Sequence, residues 1–530
     1  MKLSYKFPLL IGLLLIAGSC DDTLNEVEPT REFEEAYFDS EGRIQQAVGA
    51  VYGKVVEIYG GSFGGGSTKH VSWLLPADDL TAENAGVAYD AFETLNPSDG
   101  RVAGVWNVLY EIIARSNFVL EQLENPNVQA VYADPDLLDT NRGEVLFLRS
   151  WANMWLWDWW RKAPLITERI NSLDDAIKPP SSGYELLNQA ITDLEAAAAG
   201  LPETWPTDQL GRITQDAAYG MLAKAYMLRG SYDNNNTEDY QRAIAAFENI
   251  TTRELAPSFG QNFDINFENN VESLFEYQAS ENTSNENPFL SNDFGGGVGQ
   301  MSAYYNYSTR HWSSGSAGAR VSPTTKLIAA FEEGDPRQAE TFLANPDPDS
   351  VLTNYFNGQA PANDFWFVKY VLPNRNFITG FGATSTNNPR ILRYADVKLL
   401  AAEAYSLTGD PAAALEQVND IRTRARFSTP DGTEALVPAN LNAVTLEDIF
   451  TERFRELAGE MGIRWTDLRR WHAAGHLDLA NWNSDADDFS YPHDPASFGF
   501  EVPKHLLYPI PQSELETNQV INQSGNNPGY

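Results

Sequence analysis

The chain has 530 residues and a formal charge of −36, so a nucleic-acid partner is excluded: phosphate binding needs basic clusters that this composition lacks. Hydrophobic residues make up 42%, with 13 Trp, 23 Tyr and 27 Phe, enough to build a large core and to exclude a disordered chain. Its one cysteine, Cys20, excludes an intramolecular disulfide.

Residues 1–19 read as a secretory signal, with Lys2 and Lys6 ahead of an apolar run from Phe7 to Ala17 that is too short to stay across a bilayer. The run stops at Ala17-Gly18-Ser19-Cys20, which resembles a lipoprotein cleavage box with Ala17 in the place usually held by Leu. Cys20 is therefore the expected lipid attachment point, and Asp21-Asp22 look like the surface-export signal of Bacteroidetes lipoproteins.

From Glu41 to Tyr59, Ile44, Val48, Val51, Val55 and Ile58 recur at helical spacing. The glycine-rich stretch that follows lacks the lysine of a P-loop. Residues 76–100 read as an exposed loop, with another helix behind it through Leu123. Its Asp78-Asp79 pair has the form of a carboxylate dyad, but adjacent acids are expected by chance among 73 of them. Between 143 and 168 lie Trp151, Trp155, Trp157, Trp159 and Trp160. Because each buried ring removes roughly 150–250 Å² from water, most of these are expected in the core.

A helix from Tyr184 to Ala199 precedes a helical hairpin at 214–251, with Thr214 as N-cap. A second hairpin spans 394–426, where Gly409, Asp410 and Pro411 mark a helix end and the next start. These are tetratricopeptide-like units, dispersed rather than in tandem. Between them, residues 257–390 form an insert rich in Gly, Asn, Ser and aromatics, and so long an irregular stretch is usually functional. Phe365, Trp366, Phe367 and Tyr370 within it read as a buried strand.

No nucleophile elbow, zincin motif or dinucleotide fingerprint is present. His472 and His476 stand four apart but lack a further ligand, and Asn483, Asp485 and Asp487 start like a calcium loop without its glycine. No catalytic residue, cofactor or metal is therefore expected. What remains is recognition. Sugars present apolar C–H patches beside hydroxyls, and exposed aromatic faces flanked by Asn, Asp, Arg or Gln suit them. Asn84 and Tyr89, with Phe92, offer that mixture; so do Tyr304, Tyr305, Arg310 and Trp312.

The segment RYADVKLLAAEA, from Arg393 to Ala404, is followed by Glu452-Arg453 to Leu457, Glu460, and Arg464-Trp465-Thr466-Asp467-Leu468-Arg469-Arg470-Trp471. This wording, read as a hairpin and then one helix, resembles the SusD/RagB family of outer-membrane lipoproteins, as does the ending LLYPIPQSELETNQVINQSGNNPGY. The resemblance covers nearly the whole mature chain. It implies a mostly α fold: a single SusD-like domain over 20–530, with a helical scaffold at about 33–256 and 391–472, the insert at about 257–390 and a closing segment at 473–530. It also implies a surface-exposed protein held at the outer membrane by its lipid, binding glycan and delivering it to a SusC-type TonB-dependent transporter. Ligand aromatics come from loops at the two places named above. Peptide capture, as in RagB-like members, is the alternative, with an all-helical glycoside hydrolase and a helical-repeat adaptor behind it.

Overall fold

Helices form where apolar spacing and end signals coincide. The computed structural model describes residues 37–59, 69, 71–82, 87–92, 94–279, 321–344, 365–369, 387–482 and 499–530. Its main helices are α1 (Glu41–Tyr59), α2 (Gly100–Glu124), α3 (Pro135–Trp160), α4 (Glu185–Gly200) and α5 (Gln215–Tyr232), then α6 (Thr237–Glu248), α7 (Tyr394–Thr408), α8 (Pro411–Arg426), α9 (Leu446–Leu457) and α10 (Ile463–Ala473). Side-chain caps hold their first turns: Asp99 accepts from the amides of Arg101 and Val102, Thr214 from that of Ala217, and Asp410 from that of Ala413. Each such cap stabilises its helix by about 1 kcal/mol. Gly409, at φ +91°, ends α7 in the left-handed conformation that glycine adopts without strain.

Each helix packs on the next: α1 on α2, α2 on α3, and so on through α8. The hairpin α5–α6 thus meets the hairpin α7–α8 directly, through α6 and α7, although the whole insert separates them in sequence. The dispersed hairpins form one stack. One apolar cluster runs through α1 to α7, from Phe38 to Ile521, and a second, with Leu399, Ala414, Val418, Ile421 and Ile449, joins α7 to α8 and α9. Trp151, Trp157, Trp159 and Trp160 of α3 are buried as expected, and Trp155 packs against them with its ring stacked on Trp159 at 5.3 Å. The closing segment fastens to this helix: the Trp160 indole donates to the Pro509 carbonyl at 2.9 Å, and the Tyr508 amide to the Trp159 carbonyl at 2.8 Å.

Most charged residues of the 452–471 motif are buried, with Arg455 and Arg464 half-buried, and they pair with several other segments. Glu452 accepts from Arg337 at 2.7 Å and from Arg422 at 3.0 Å. Arg453 reaches Asp467 and Asp396, each at 2.8 Å, and Asp396 also holds Lys224. Glu456 accepts from Arg337, Arg393 and Arg424. Glu460 takes Arg393 at 2.7 Å and Lys369 at 2.6 Å. Three guanidiniums and the Lys369 ammonium around Glu456 outweigh its burial and hold its pKa at about 2, below the usual 4.5.

The motif is two helices, not one. Between α9 and α10 the chain turns at Gly459, Met461 and Gly462, at φ +70°, +47° and +70°. At Gly459 a Cβ would stand 2.3 Å from the Phe367 ring, and at Gly462 2.8 Å from the Trp73 side chain, so the break exists to admit those neighbours.

Six short strands form three antiparallel pairs: β1 (Leu80–Ala82) with β3 (Val321–Pro323), β2 (Ser273–Glu276) with β6 (Arg390–Arg393), and β4 (Phe342–Ala344) with β5 (Phe365–Phe367). Phe367 is buried on its strand as expected, while Phe365 is partly exposed. Residues 76–81 correct the expectation of an exposed loop: Ala77, Asp78, Asp79, Leu80 and Thr81 are all buried.

Candidate ligand-binding face

The β1–β3 ladder joins the two stretches singled out for recognition. Its register pairs Leu80 with Pro323, Thr81 with Ser322 and Ala82 with Val321. The chain therefore departs toward Asn84 from the ladder end at which the stretch carrying Tyr304, Tyr305, Arg310 and Trp312 returns at Val321. These five residues, like Cys20 and the Asn483–Asp487 stretch, lie outside the described residues.

Asp78 and Asp79 fasten the ladder to the α9–α10 junction. Asp78 is fully buried and takes a two-pronged pair from Arg464 at 2.6 and 2.9 Å, with Lys326 at 2.7 Å. Despite its burial, these cations hold it well below the usual carboxylate range. Among the described residues, no cation pairs directly with Asp79. It accepts from the Gly459 amide at 2.8 Å and the Leu80 amide at 3.1 Å, and burial pushes it up to about 6. Thr324 completes the joint, donating through its hydroxyl to the Asp78 carbonyl at 2.6 Å and through its amide to the Asp79 carbonyl at 2.9 Å. The acid pair is a fastening between segments far apart in sequence.

Tyr89 and Phe92 are corrections. Tyr89 is fully buried; its hydroxyl donates to Asp99 at 2.5 Å, and its ring meets Tyr508 edge-on at 6.2 Å. Burial pushes its hydroxyl pKa up, beyond any role in proton transfer near neutrality. Phe92 is buried among Trp465, Phe500 and His505, with centroids 4.9–5.7 Å away. Both rings hold the base of the loop and present no face to a ligand. Trp482, partly exposed, lies near-parallel to Trp465 at 6.2 Å and edge-on to Phe500 at 5.1 Å, so the 483–498 stretch also leaves from this aromatic cluster. The partners Lys326, Arg464, Gly459 and Thr324 were missed in the sequence; no local signal links them to Asp78 and Asp79.

The His472 Nδ1 accepts from the Leu479 amide at 3.2 Å, and among the described residues no three His, Cys, Asp or Glu side chains are grouped to hold an ion. No helix among the described residues is long and apolar enough to cross a membrane.

A stack of helical hairpins with a short strand ladder fastened to it defines the class: a helical-repeat scaffold. The particular family follows from the sequence. Residues 220–530 match the model of the SusD family, and residues 25–227 match one described as starch-binding associating with outer membrane. The chain belongs to the SusD/RagB family. SusD-like protein P25 of Formosa agariphila is 24% identical, with 98% of each chain covered. A solved laminarin-binding SusD-like protein superposes with a TM-score of 0.70 at 21% identity, over 93% of this chain and 100% of the other. Surface glycan-binding protein A from Bacteroides thetaiotaomicron, in complex with laminarihexaose, gives 0.67 at 20% identity, over 90% and 97%. At these identities the two structures establish likeness of fold.

Proposed function

We propose that this chain is a cell-surface lipoprotein, anchored through Cys20 in the outer membrane, that captures glycan and passes it to a SusC-type TonB-dependent transporter. The observation that supports the reading is the register of β1 on β3: the chain continues toward Asn84 from the ladder end whose other strand, at Val321, follows the Tyr304–Trp312 stretch in sequence. Tyr304, Tyr305 and Trp312 supply flat faces for sugar C–H groups, and Asn84 and Arg310 supply partners for hydroxyls. The family membership, the outer-membrane association in the description of residues 25–227, and the glycan named for two fold neighbours support it.

The test is affinity electrophoresis of the chain lacking residues 1–20 through gels that contain single polysaccharides, laminarin among them. Retardation by one glycan is expected, lost in Trp312→Ala while the thermal midpoint holds. Unretarded migration in every gel would overturn glycan capture, and calorimetry with peptide mixtures would then examine the RagB-like alternative.

A further inference from the structure

A cleft of about 470 Å³ opens between α1, the 208–212 segment and the end of β2. We propose that it is a second saccharide site, taking one or two uncharged sugar units and separate from the β1–β3 face. The proposal rests on the glycan-capture reading, and four features of the cleft carry it.

The first is Gly49, in the middle of α1. A glycine inside a helix is unfavourable relative to alanine, and a Cβ here would meet nothing within 4 Å. No neighbouring side chain requires the glycine. Its missing side chain instead leaves bare backbone on the wall of the cleft, where a ligand can approach closely.

The opposite wall is rigid. Gly211, at φ +92°, presses on Gln278, whose Cδ would stand 2.3 Å from a Cβ at that position. The Gln278 amide is fixed by four hydrogen bonds, donating to Asn269 at 3.0 Å and to the Glu276 carbonyl at 3.2 Å and accepting from Asn269 at 2.8 Å and Asn388 at 3.2 Å, which stiffens this wall.

Apart from Asp208, exposed at the rim, the charged residues that line the cleft are paired. Glu144 is buried and accepts from Arg212 at 2.8 and 2.6 Å and from the Tyr52 hydroxyl at 2.7 Å. Arg212 lies flat over Trp205 at 3.7 Å, and Glu276 faces Arg390 at 3.3 Å. With Glu144 and Glu276 each facing an arginine and Asp208 as the one exposed charge, the wall disfavours phosphates and carboxylates and favours a neutral ligand. Finally, Tyr52 and Tyr277 give the cleft aromatic surface between these polar groups. Its volume lies in the range of about 300–1,000 Å³ typical of small-ligand pockets.

Saturation-transfer NMR with cellobiose, laminaribiose and maltose tests this in the chain lacking residues 1–20. At least one disaccharide is expected to receive saturation from the wild type and equally from Trp312→Ala. In Gly49→Leu, which fills the cleft with a better helix former, binding of that sugar is expected to weaken by about tenfold or more. Gly49→Ala, a smaller change, is expected to fold with an equal or higher thermal midpoint and to weaken binding less. Equal transfer in Gly49→Leu and wild type, loss in Trp312→Ala alone, or no transfer to any of the three sugars would each overturn the proposal. Retardation in polysaccharide gels reads the β1–β3 face separately, because Gly49→Leu leaves that face intact.

Discussion

Replacing Glu456 by Gln removes the one carboxylate shared by Arg337, Arg393 and Arg424. Its fall from an ordinary pKa of 4.5 to about 2, at about 1.4 kcal/mol per unit, implies that the charged form is favoured by about 3 kcal/mol in the folded chain. Breaking a buried ion pair from one side costs about 3–5 kcal/mol. The lower end applies here, because Arg337 keeps Asp335 and Glu452, Arg393 keeps Glu272 and Glu460, and Arg424 keeps Glu272. The sign with pH follows from the depressed folded value: this stability is present above the unfolded 4.5 and is lost as pH falls toward 2. Urea unfolding of the wild type and Glu456→Gln, both lacking residues 1–20, is the assay. Near pH 7 the variant is expected to be about 3 kcal/mol less stable, and the gap should narrow below about pH 4.5. A difference under about 1 kcal/mol near pH 7, in the range of an exposed pair, or a gap that widens with acid, would refute the reasoning.

Asp79 behaves in the opposite sense. With a folded pKa near 6 against an ordinary 3.8, it favours folding more as pH falls through 6, and 13C titration of labelled aspartates should show one midpoint near 6 while Asp78 stays ionised below it. Gly459→Ala forces a Cβ against Phe367 at positive φ and is expected to lower stability by about 2–4 kcal/mol in urea unfolding, as backbone strain and overpacking each contribute about 1–3 kcal/mol. Tyr89→Phe, which removes the hydrogen bond to Asp99, should lower stability by roughly 1–3 kcal/mol in the same assay and leave glycan retardation unchanged.

Much of the scaffold was legible because its signals are local. The stripe of α1 and its bounds, the Thr214 and Asp410 caps and the turn at Gly409 each depend on residues within a few positions. Ala414, Val418, Ile421 and Ala425 are fully buried, as their helical spacing requires. The break inside the 452–471 motif was not legible, because Gly459 and Gly462 serve contacts with Phe367 and Trp73, which no nearby residue announces. Nor was the burial of 76–81: Asp78-Asp79 reads as surface until Arg464, Lys326 and the Gly459 amide are brought to it. Tyr89 failed for the same reason, since an aromatic among small polar residues looks alike whether it faces solvent or closes a loop on Asp99 and Tyr508.

The central claim is that glycan is held at the face rooted on the β1–β3 ladder. The most direct measurement is an experimental structure of the chain lacking residues 1–20 with the glycan that retards it most strongly. The account predicts sugar density against Trp312 and its neighbours and against Asn84, beside Ala82 and Val321. Density confined to the helical stack or to the α1 cleft, with none at the ladder, would contradict it.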